Sequence, residues 1–200
     1  MNMLAISLFS LALATQPAAD SIGGGGKGLA GHVKTGFPWQ ELHVQYGWNK
    51  KWGGMLQTQT ALFKRWQPSI GVFRIWHEKS WRITGAFLGG WLLEDSAYPW
   101  NGPSIEARLQ AAKPYGKFRP WVLLGSKHSF GWVRTEIQTQ SGLLTEHDAQ
   151  SEWSLTGSMG FSAAVHRGLE AGLGLDFPWI RVPSIAIPGI HLSLSYRGAK

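Results

Sequence analysis

The stretch that decides the fold is 152-EWSLTGSMGFSAAVH-166, in which apolar residues alternate with small or polar ones. One side of the alternation carries the apolar side chains of Trp153, Leu155, Met159, Phe161 and Val165. A period of two is typical of a β-strand, because successive side chains point to opposite faces. The segment therefore predicts one long strand with an apolar face and a hydrophilic face.

The same alternation recurs along most of the chain after Gly28. Ten segments show it, wholly or in part: 28–36, 40–48, 54–63, 69–77, 80–92, 104–112, 118–134, 151–165, 169–177 and 188–197. Segments 54–63 and 69–77 mix the two faces, and segment 118–134 changes face, which allows a β-bulge. We predict an all-β fold of about ten strands; the pattern also allows eight or twelve.

Composition helps to decide where the apolar faces point. Hydrophobic residues make up 44% of the chain, yet no apolar run reaches the about 20 residues of a membrane-spanning helix. Charged residues are only 16%, against about 25% in typical soluble domains. In a soluble, lipocalin-like barrel the apolar face points inward, whereas in a membrane barrel it meets lipid. Few charges and many aromatics favour an antiparallel transmembrane β-barrel.

The hydrophilic face combines small residues with long charged ones. Small side chains suit a narrow lumen, and charges of opposite sign can neutralise one another there. We predict that the following polar residues face the lumen: Glu41, His43, Arg82, Glu106, Arg108, Glu152, Glu170, Asp176, His191 and Arg197.

Aromatic residues concentrate near the predicted strand ends. Trp and Tyr favour the boundary between lipid and water, where barrels carry aromatic girdles. The predicted girdle consists of Trp48, Trp52, Trp76, Trp81, Trp91, Tyr115, Trp153, Phe177, Trp179 and Tyr196.

The connections differ in length between the two predicted ends of the barrel. Those predicted at one end are all short, at 49–53, 78–79, 113–117 and 166–168. Those predicted at the other end are 37–39, 64–68, 93–103, 135–150 and 178–187, of which the last three are long. Short periplasmic turns and longer external loops are the usual asymmetry of outer-membrane barrels. An even number of strands would return the C-terminus to the periplasm.

The N-terminal segment has features of a secretory signal peptide. Leu4–Ala14 is an apolar run of signal-peptide length, although no positive charge precedes it. Ala12-Leu13-Ala14 fits a cleavage site, and Pro17-Ala18-Ala19 offers a second one. We expect a signal peptide at 1–19, a flexible Gly-rich lead-in at 20–27 and the barrel at 28–200. Gly23–Gly26 lacks the Lys-Ser/Thr of a phosphate loop.

Charge and cysteine content exclude several classes of function. The net charge is +7, but the Lys and Arg residues are scattered and form no basic stripe, so we predict no nucleic-acid partner. The absence of cysteine excludes disulfides, thiol nucleophiles and Cys-ligated zinc.

Two segments resemble the periplasmic turn and following strand of small bacterial outer-membrane β-barrel proteins: 112-AKPYGKFRPW-121 and 168-GLEAGLGLDF-177. Tyr196 in the last strand is similar to the aromatic assembly signal of that superfamily, although Arg197–Lys200 follow it. The resemblance implies a Gram-negative outer-membrane location. It also implies contacts with outer-membrane lipid and lipopolysaccharide, and assembly by periplasmic chaperones and the barrel-assembly machinery.

The sequence contains candidate catalytic groups, but each fits the pattern of its enzyme class poorly. His191-Leu192-Ser193 has the His-x-Ser spacing of lipid A deacylases, but Leu194 stands where those enzymes have Asn. Lys127-His128-Ser129, with Glu136 downstream, offers another pair, yet adjacent strand residues point to opposite faces.

An omptin-like protease site would need acidic residues and a His at the outer rim. The residues that offer them are Glu94, Asp95, Glu146, His147 and Asp148, which fit a solvated polar loop better. The residues His32, His43, His166 and His191 fall on predicted lumen faces without a metal-site spacing. We predict no catalytic, metal or cofactor site.

The function predicted from these patterns is non-enzymatic. We expect a structural or surface-interaction protein whose own side chains plug the lumen, because ten strands give a narrow bore. A narrow channel for small polar solutes and an outer-membrane enzyme, deacylase-like or omptin-like, are the alternatives.

Overall fold

The computed structural model describes residues 28–36, 39–61, 65–78, 80–94, 100–139, 142–166, 169–180 and 189–197. The predicted signal peptide at 1–19 and lead-in at 20–27 lie outside them. The described residues form ten strands: β1 Gly28–Gly36, β2 Trp39–Gly47, β3 Trp52–Ala61, β4 Arg65–Glu78, β5 Trp81–Glu94, β6 Trp100–Ala112, β7 Phe118–Thr139, β8 Gly142–His166, β9 Leu169–Ile180 and β10 Gly189–Arg197. This part of the chain contains no helix with the length and hydropathy to cross a membrane.

The strands close into one antiparallel barrel. Each strand pairs with its neighbours in the chain, and β1 pairs with β10, with Ala30 opposite Arg197 and Gly36 opposite His191. Closure gives the first and last strands a hydrogen-bonding partner on both sides. The predicted antiparallel barrel of ten strands is confirmed.

The two ends of the barrel differ. Turns 48–51 and 113–117 lie at one end, here called the short-turn end. At the opposite end, here called the hairpin end, β6 stops pairing with β7 at Val133 and β9 stops pairing with β8 at Ser154. The β7–β8 ladder continues beyond them to the pair Thr139 and Gly142.

The structure corrects the loops that the sequence predicted at the hairpin end. Most of 135–150 is strand rather than loop, and β5 and β6 also extend into 93–103. The described side chains 148–151 of this hairpin are all exposed. Because four consecutive side chains at 148–151 are exposed, this stretch has solvent on both faces and no apolar side to alternate with, and its sequence lacks the strand pattern accordingly.

Burial alternates along the strands, and the apolar side of the alternation faces outward. Phe161, Leu175 and Leu192 have exposed fractions of 49%, 40% and 60%. On β6, the hydrophilic residues Glu106, Arg108 and Gln110 are buried instead. This arrangement excludes the lipocalin-like alternative, in which the same apolar residues would fill the interior.

The interior also contains an apolar cluster, which the sequence pattern did not predict. It consists of Met55, Phe73, Ile75, Ala86 and Leu88, and Leu123 packs against it. Met55 follows turn 48–51 closely and Phe73 lies opposite Gly53, so the cluster lies nearer the short-turn end. The mixed faces of segments 54–63 and 69–77 are explained by apolar residues on both sides of β3 and β4.

The bulge allowed in segment 118–134 is absent. The pairing of β7 with β6 and with β8 runs without a register shift. The irregularity lies between Ala164 and His166, and His166 is exposed rather than in the lumen. Trp121 and Leu123 simply point inward, where they occupy lumen volume.

Gly71 permits close packing between β4 and β5. A Cβ at this position would lie 2.3 Å from the carbonyl oxygen of Phe87 and 2.8 Å from Cγ of Leu88. We therefore expect Gly71→Ala to lower the free energy of unfolding by about 1–3 kcal/mol, the usual cost of overpacking. Urea unfolding of the protein refolded into lipid vesicles measures this change. Gly89→Ala is the control, because nothing lies within 4 Å of its Cβ position, and an equal loss in both variants would contradict the prediction.

Candidate functional site

The barrel interior gathers the charged residues that the sequence assigned to the hydrophilic face. Within the lumen set, these side chains are buried: His43, Glu106, Arg108, Glu170, Asp176 and His191. Glu41, Arg82 and Glu152 are half-buried. The side chain of Arg197 lies outside the described part of the chain, although its backbone pairs with Ala30.

Arg108 on β6 connects opposite walls of the barrel. Its Nε donates to Oε1 of Glu106 at 2.5 Å, and its Nη1 donates to Oε1 of Glu41 on β2 at 3.3 Å. Three strands separate β2 from β6 on the shorter way around the barrel, so this contact runs across the lumen. Glu41 also accepts from Gln59 at 2.9 Å and contacts His43 at 2.9 Å.

A second transverse contact starts at Arg65 on β4. Its Nε lies 3.1 Å from Oε2 of Glu94 on β5, and its Nη2 donates to Oε2 of Glu152 on β8 at 3.0 Å. Nearby, Lys127 on β7 donates to Oε1 of Gln67 on β4. The Arg108, Arg65 and Lys127 contacts together place polar bridges across the bore at several points.

A third cluster surrounds Asp176. Its carboxylate lies 2.7 Å from Nζ of Lys34 and 3.0 Å from Nδ1 of His191, and it accepts from the hydroxyl of Ser158. Trp121 stacks on the His191 ring with centroids 5.8 Å apart. Each partner limits the rotation of the next, so this part of the wall is held rigidly.

A cavity of about 130 Å³ lies among these groups. The charged residues that line it are Lys34, Arg65, Arg108 and Lys127, with Glu41, Glu106, Glu152 and Asp176. Trp121 and Leu123 add apolar surface. The second carboxylate oxygen of Glu106 is buried and has no hydrogen-bond partner.

The catalytic alternatives do not assemble among the described side chains. His191 bonds to Asp176 through Nδ1 and its ring stacks on Trp121, and among the described residues it makes no hydrogen bond to Ser193. Ser129 is buried, whereas His128 belongs to the outer register, where its ring centroid lies 4.1 Å from that of Phe130. A shared proton between neighbours on opposite faces is excluded by this geometry.

The omptin-like set is dispersed as far as it is described. Glu94 bonds to Arg65 inside the barrel, and Asp148 is exposed on the β7–β8 hairpin. Asp95 and the side chains of Glu146 and His147 lie outside the described part.

The histidines serve structural contacts. His32 and His43 stack with ring centroids 4.7 Å apart, and Nδ1 of His32 lies 2.6 Å from Oγ of Ser195. Within the described part of the chain, no group of three or more His, Cys, Asp or Glu residues is arranged to hold a metal ion.

The predicted girdle residues lie mostly on the outer surface. Exposed members are Trp48, Trp52, Trp76, Trp81, Trp91, Tyr115 and Trp153. Phe177 and Tyr196 are half-buried, and the side chain of Trp179 lies outside the described part.

Two cations lie between girdle rings at the short-turn end. The guanidinium of Arg74 is 5.1 Å from the rings of both Trp52 and Trp76. Nζ of Lys113 is 5.6 Å from the ring of Trp81 and 4.9 Å from that of Tyr115.

Sequence reasoning missed several residues of the interior. Lys34 and Lys127 share the register of His32 and Ser129, so a parity count along β1 and β7 identifies them. Trp121 and Leu123 fall on the face opposite Val122 and Leu124 in sequence, but apolar residues on both faces contradict the simple alternation, so the pattern suggested a bulge rather than two side chains that fill the lumen.

No protein-family model and no curated protein matches the sequence. Among solved structures, the N-terminal β-barrel domain of Pseudomonas aeruginosa OprF is 12% identical, with 86% of this chain and 98% of that chain covered and a TM-score of 0.37. Acinetobacter baumannii Omp33 is 4% identical over 88% and 100% of the two chains, with a TM-score of 0.43. The translocator domain of Neisseria meningitidis NalP is 11% identical over 97% and 96%, with a TM-score of 0.37. The likeness concerns fold alone: the chain is similar to outer-membrane β-barrel proteins in its closed antiparallel barrel.

Proposed function

We propose that this protein is a non-enzymatic outer-membrane barrel with a structural or surface-interaction role, whose lumen is plugged by its own side chains. The observation that carries the plug is the Arg108 bridge between Glu106 and Glu41, which runs from wall to wall. The apolar cluster around Phe73 adds a second obstruction nearer the short-turn end.

The outer surface supports a lipid environment. Outward-facing Val72, Phe87, Leu109 and Leu124 are 43%, 55%, 51% and 56% exposed. Contiguous apolar surface of this kind is unfavourable in water and is covered by partners or lipid. A closed barrel satisfies its backbone hydrogen bonds internally, as a hydrocarbon environment demands.

The proposed partners follow from this location. We propose that Arg74 and Lys113, with exposed Lys50 and Lys51, place positive charge at the periplasmic boundary, where it attracts anionic phosphate headgroups. Lipopolysaccharide would surround the hairpin end, and periplasmic chaperones and the barrel-assembly machinery would deliver and insert the chain. The short-turn end then faces the periplasm.

Conductance in planar bilayers tests the plug. The wild-type protein is expected to give no steady ionic current above the bare bilayer. A combined Glu41→Ala, Phe73→Ala and Arg108→Ala variant removes one bridge and part of the apolar cluster, and we expect it to give stepwise currents. Leu109→Ala, on the outer surface, serves as the control.

Two results would count against the proposal. Stepwise current through the wild-type barrel would favour the narrow channel for small polar solutes. A folded membrane barrel is expected in purified outer membranes as a gel band whose migration changes on heating. If no such band is found there, the membrane assignment itself is rejected.

A further inference from the structure

The lumen cavity is too large for a single water molecule. One water needs about 10–15 Å³ of volume measured in this way, so about 130 Å³ holds roughly ten non-hydrogen atoms. A small organic solute of that size therefore fits among the charged groups.

The lining of the cavity is balanced in charge. Lys34, Arg65, Arg108 and Lys127 supply four cations, and Glu41, Glu106, Glu152 and Asp176 supply four carboxylates. A solute with a net charge of either sign gains little from such a lining, because attraction to one set is offset by repulsion from the other. The lining favours a solute that carries both charges.

Glu106 supplies the carboxylate of the site. The residue is 5% exposed and lines the cavity, and only Oε1 is occupied, by Nε of Arg108. Oε2 is buried and accepts no hydrogen bond. Buried carboxylate oxygens are rarely left unpaired, so this atom calls for a hydrogen-bond donor.

Lys127 supplies the cation of the site. It lies directly opposite Glu106 in the β6–β7 register and lines the same cavity. Its ammonium has three N–H donors, and the structure gives it one acceptor, Oε1 of Gln67. Among the described residues, no carboxylate forms an ion pair with it, so its remaining donors are available to an anionic group.

We propose that the cavity binds a zwitterionic solute of the size of a small α-amino acid. Its ammonium group donates to Oε2 of Glu106, and its carboxylate accepts from Nζ of Lys127. The solute's apolar substituent lies against Trp121 and Leu123. Entry is from the hairpin end, past the ion pair of Arg65 and Glu152, whose side chains are 22% and 32% exposed and therefore weakly held.

Equilibrium dialysis of the refolded full chain with radiolabelled L-alanine tests the site. We expect saturable binding with one solute per barrel. Acetate and methylammonium, which carry one charge each, should compete at least about tenfold more weakly than glycine. Glycine betaine should also compete weakly, because it keeps both charges but has no N–H to donate to Glu106.

Variants locate the binding. Glu106→Gln and Lys127→Met are each expected to weaken alanine binding at least about tenfold, since each removes one charge-assisted hydrogen bond. Glu170→Gln is the matched control, because Glu170 is a buried lumen carboxylate that does not line the cavity. Heat-modifiable gel migration verifies that each variant is folded.

The proposal is overturned if the wild-type barrel shows no saturable alanine binding, or if binding persists unchanged in both Glu106→Gln and Lys127→Met. It is also overturned if a structure determined in the presence of alanine shows only water in the cavity. None of these outcomes depends on conductance, so failure of the binding proposal and failure of the plugged-lumen proposal are distinguished by separate measurements.

Discussion

Replacing Arg108 with methionine is expected to lower the free energy of unfolding by about 3–5 kcal/mol, one of the two largest effects we anticipate. The substitution removes the only cation that joins Glu106 to Glu41 among the described residues. Arg108 is 7% exposed and Glu106 is 5% exposed, so bulk solvent is largely excluded from this ion pair and does not screen the carboxylates fully once the cation is lost. Two like charges would remain in a low-dielectric interior. Urea unfolding in lipid vesicles measures the loss.

A compensated variant separates charge from packing. Arg108→Met combined with Glu41→Gln and Glu106→Gln removes the uncompensated carboxylates while it keeps the side-chain volumes similar. We expect this variant to recover most of the loss, because a buried ion pair can often be exchanged for uncharged groups at little cost. If the compensated variant is as unstable as Arg108→Met alone, packing rather than charge would explain the effect.

Placing a charge in the middle of the outer surface should have the second large effect. Phe87 lies between Trp81 and Trp91 on the outward face of β5 and is 55% exposed. If lipid covers this surface, Phe87→Arg brings a cation near the bilayer midplane, at a cost of about 2–4 kcal/mol. Refolding yield and urea unfolding in vesicles report the change.

Leu93→Arg provides the matched control for depth. Leu93 shares the strand and the outward face of Phe87, but it lies beyond Trp91 towards the hairpin end and is 44% exposed. Near the interface an Arg costs only about 0–1 kcal/mol. Equal losses of unfolding free energy in Phe87→Arg and Leu93→Arg would contradict a placement of Phe87 near the bilayer midplane and of Leu93 near the interface.

The strand count was predictable because the outward face obeys one rule. From Trp153 to Phe161 every second residue belongs to the outward face, before the irregularity between Ala164 and His166, and the structure places Trp153, Met159 and Phe161 on the outside. The rule is local and needs no knowledge of the partner strand. It therefore works from one sequence alone.

The inward face obeys no such rule, which limits what the sequence can predict there. A packed lumen accepts a charged pair or an apolar side chain at neighbouring positions, provided that the space is filled. Phe73 and Ile75 are each 1% exposed and lie on the same inner register as Gln67 and Ser69. For this reason the sequence of β4 shows apolar residues on both faces instead of one.

The transverse contacts depend on geometry that a single sequence does not contain. Arg108 and Glu41 are separated by many residues, and they meet only because ten strands bring β2 and β6 to opposite walls. A barrel of eight or twelve strands would change which residues face each other across the bore. The hydrophilic character of both residues was predictable, but their pairing was not.

The unequal ladders of the barrel imply an order of assembly. The β7–β8 pair connects residues that are close in sequence and runs from Phe118 to Thr139, so it closes short loops and can form early. The β1–β10 seam joins Ala30–Gly36 to His191–Arg197, across almost the whole chain, and forms only after every intervening hairpin has reduced the search. We therefore expect the long hairpin to form first, the remaining strands to add to it, and the seam between the first and last strands to close the barrel last.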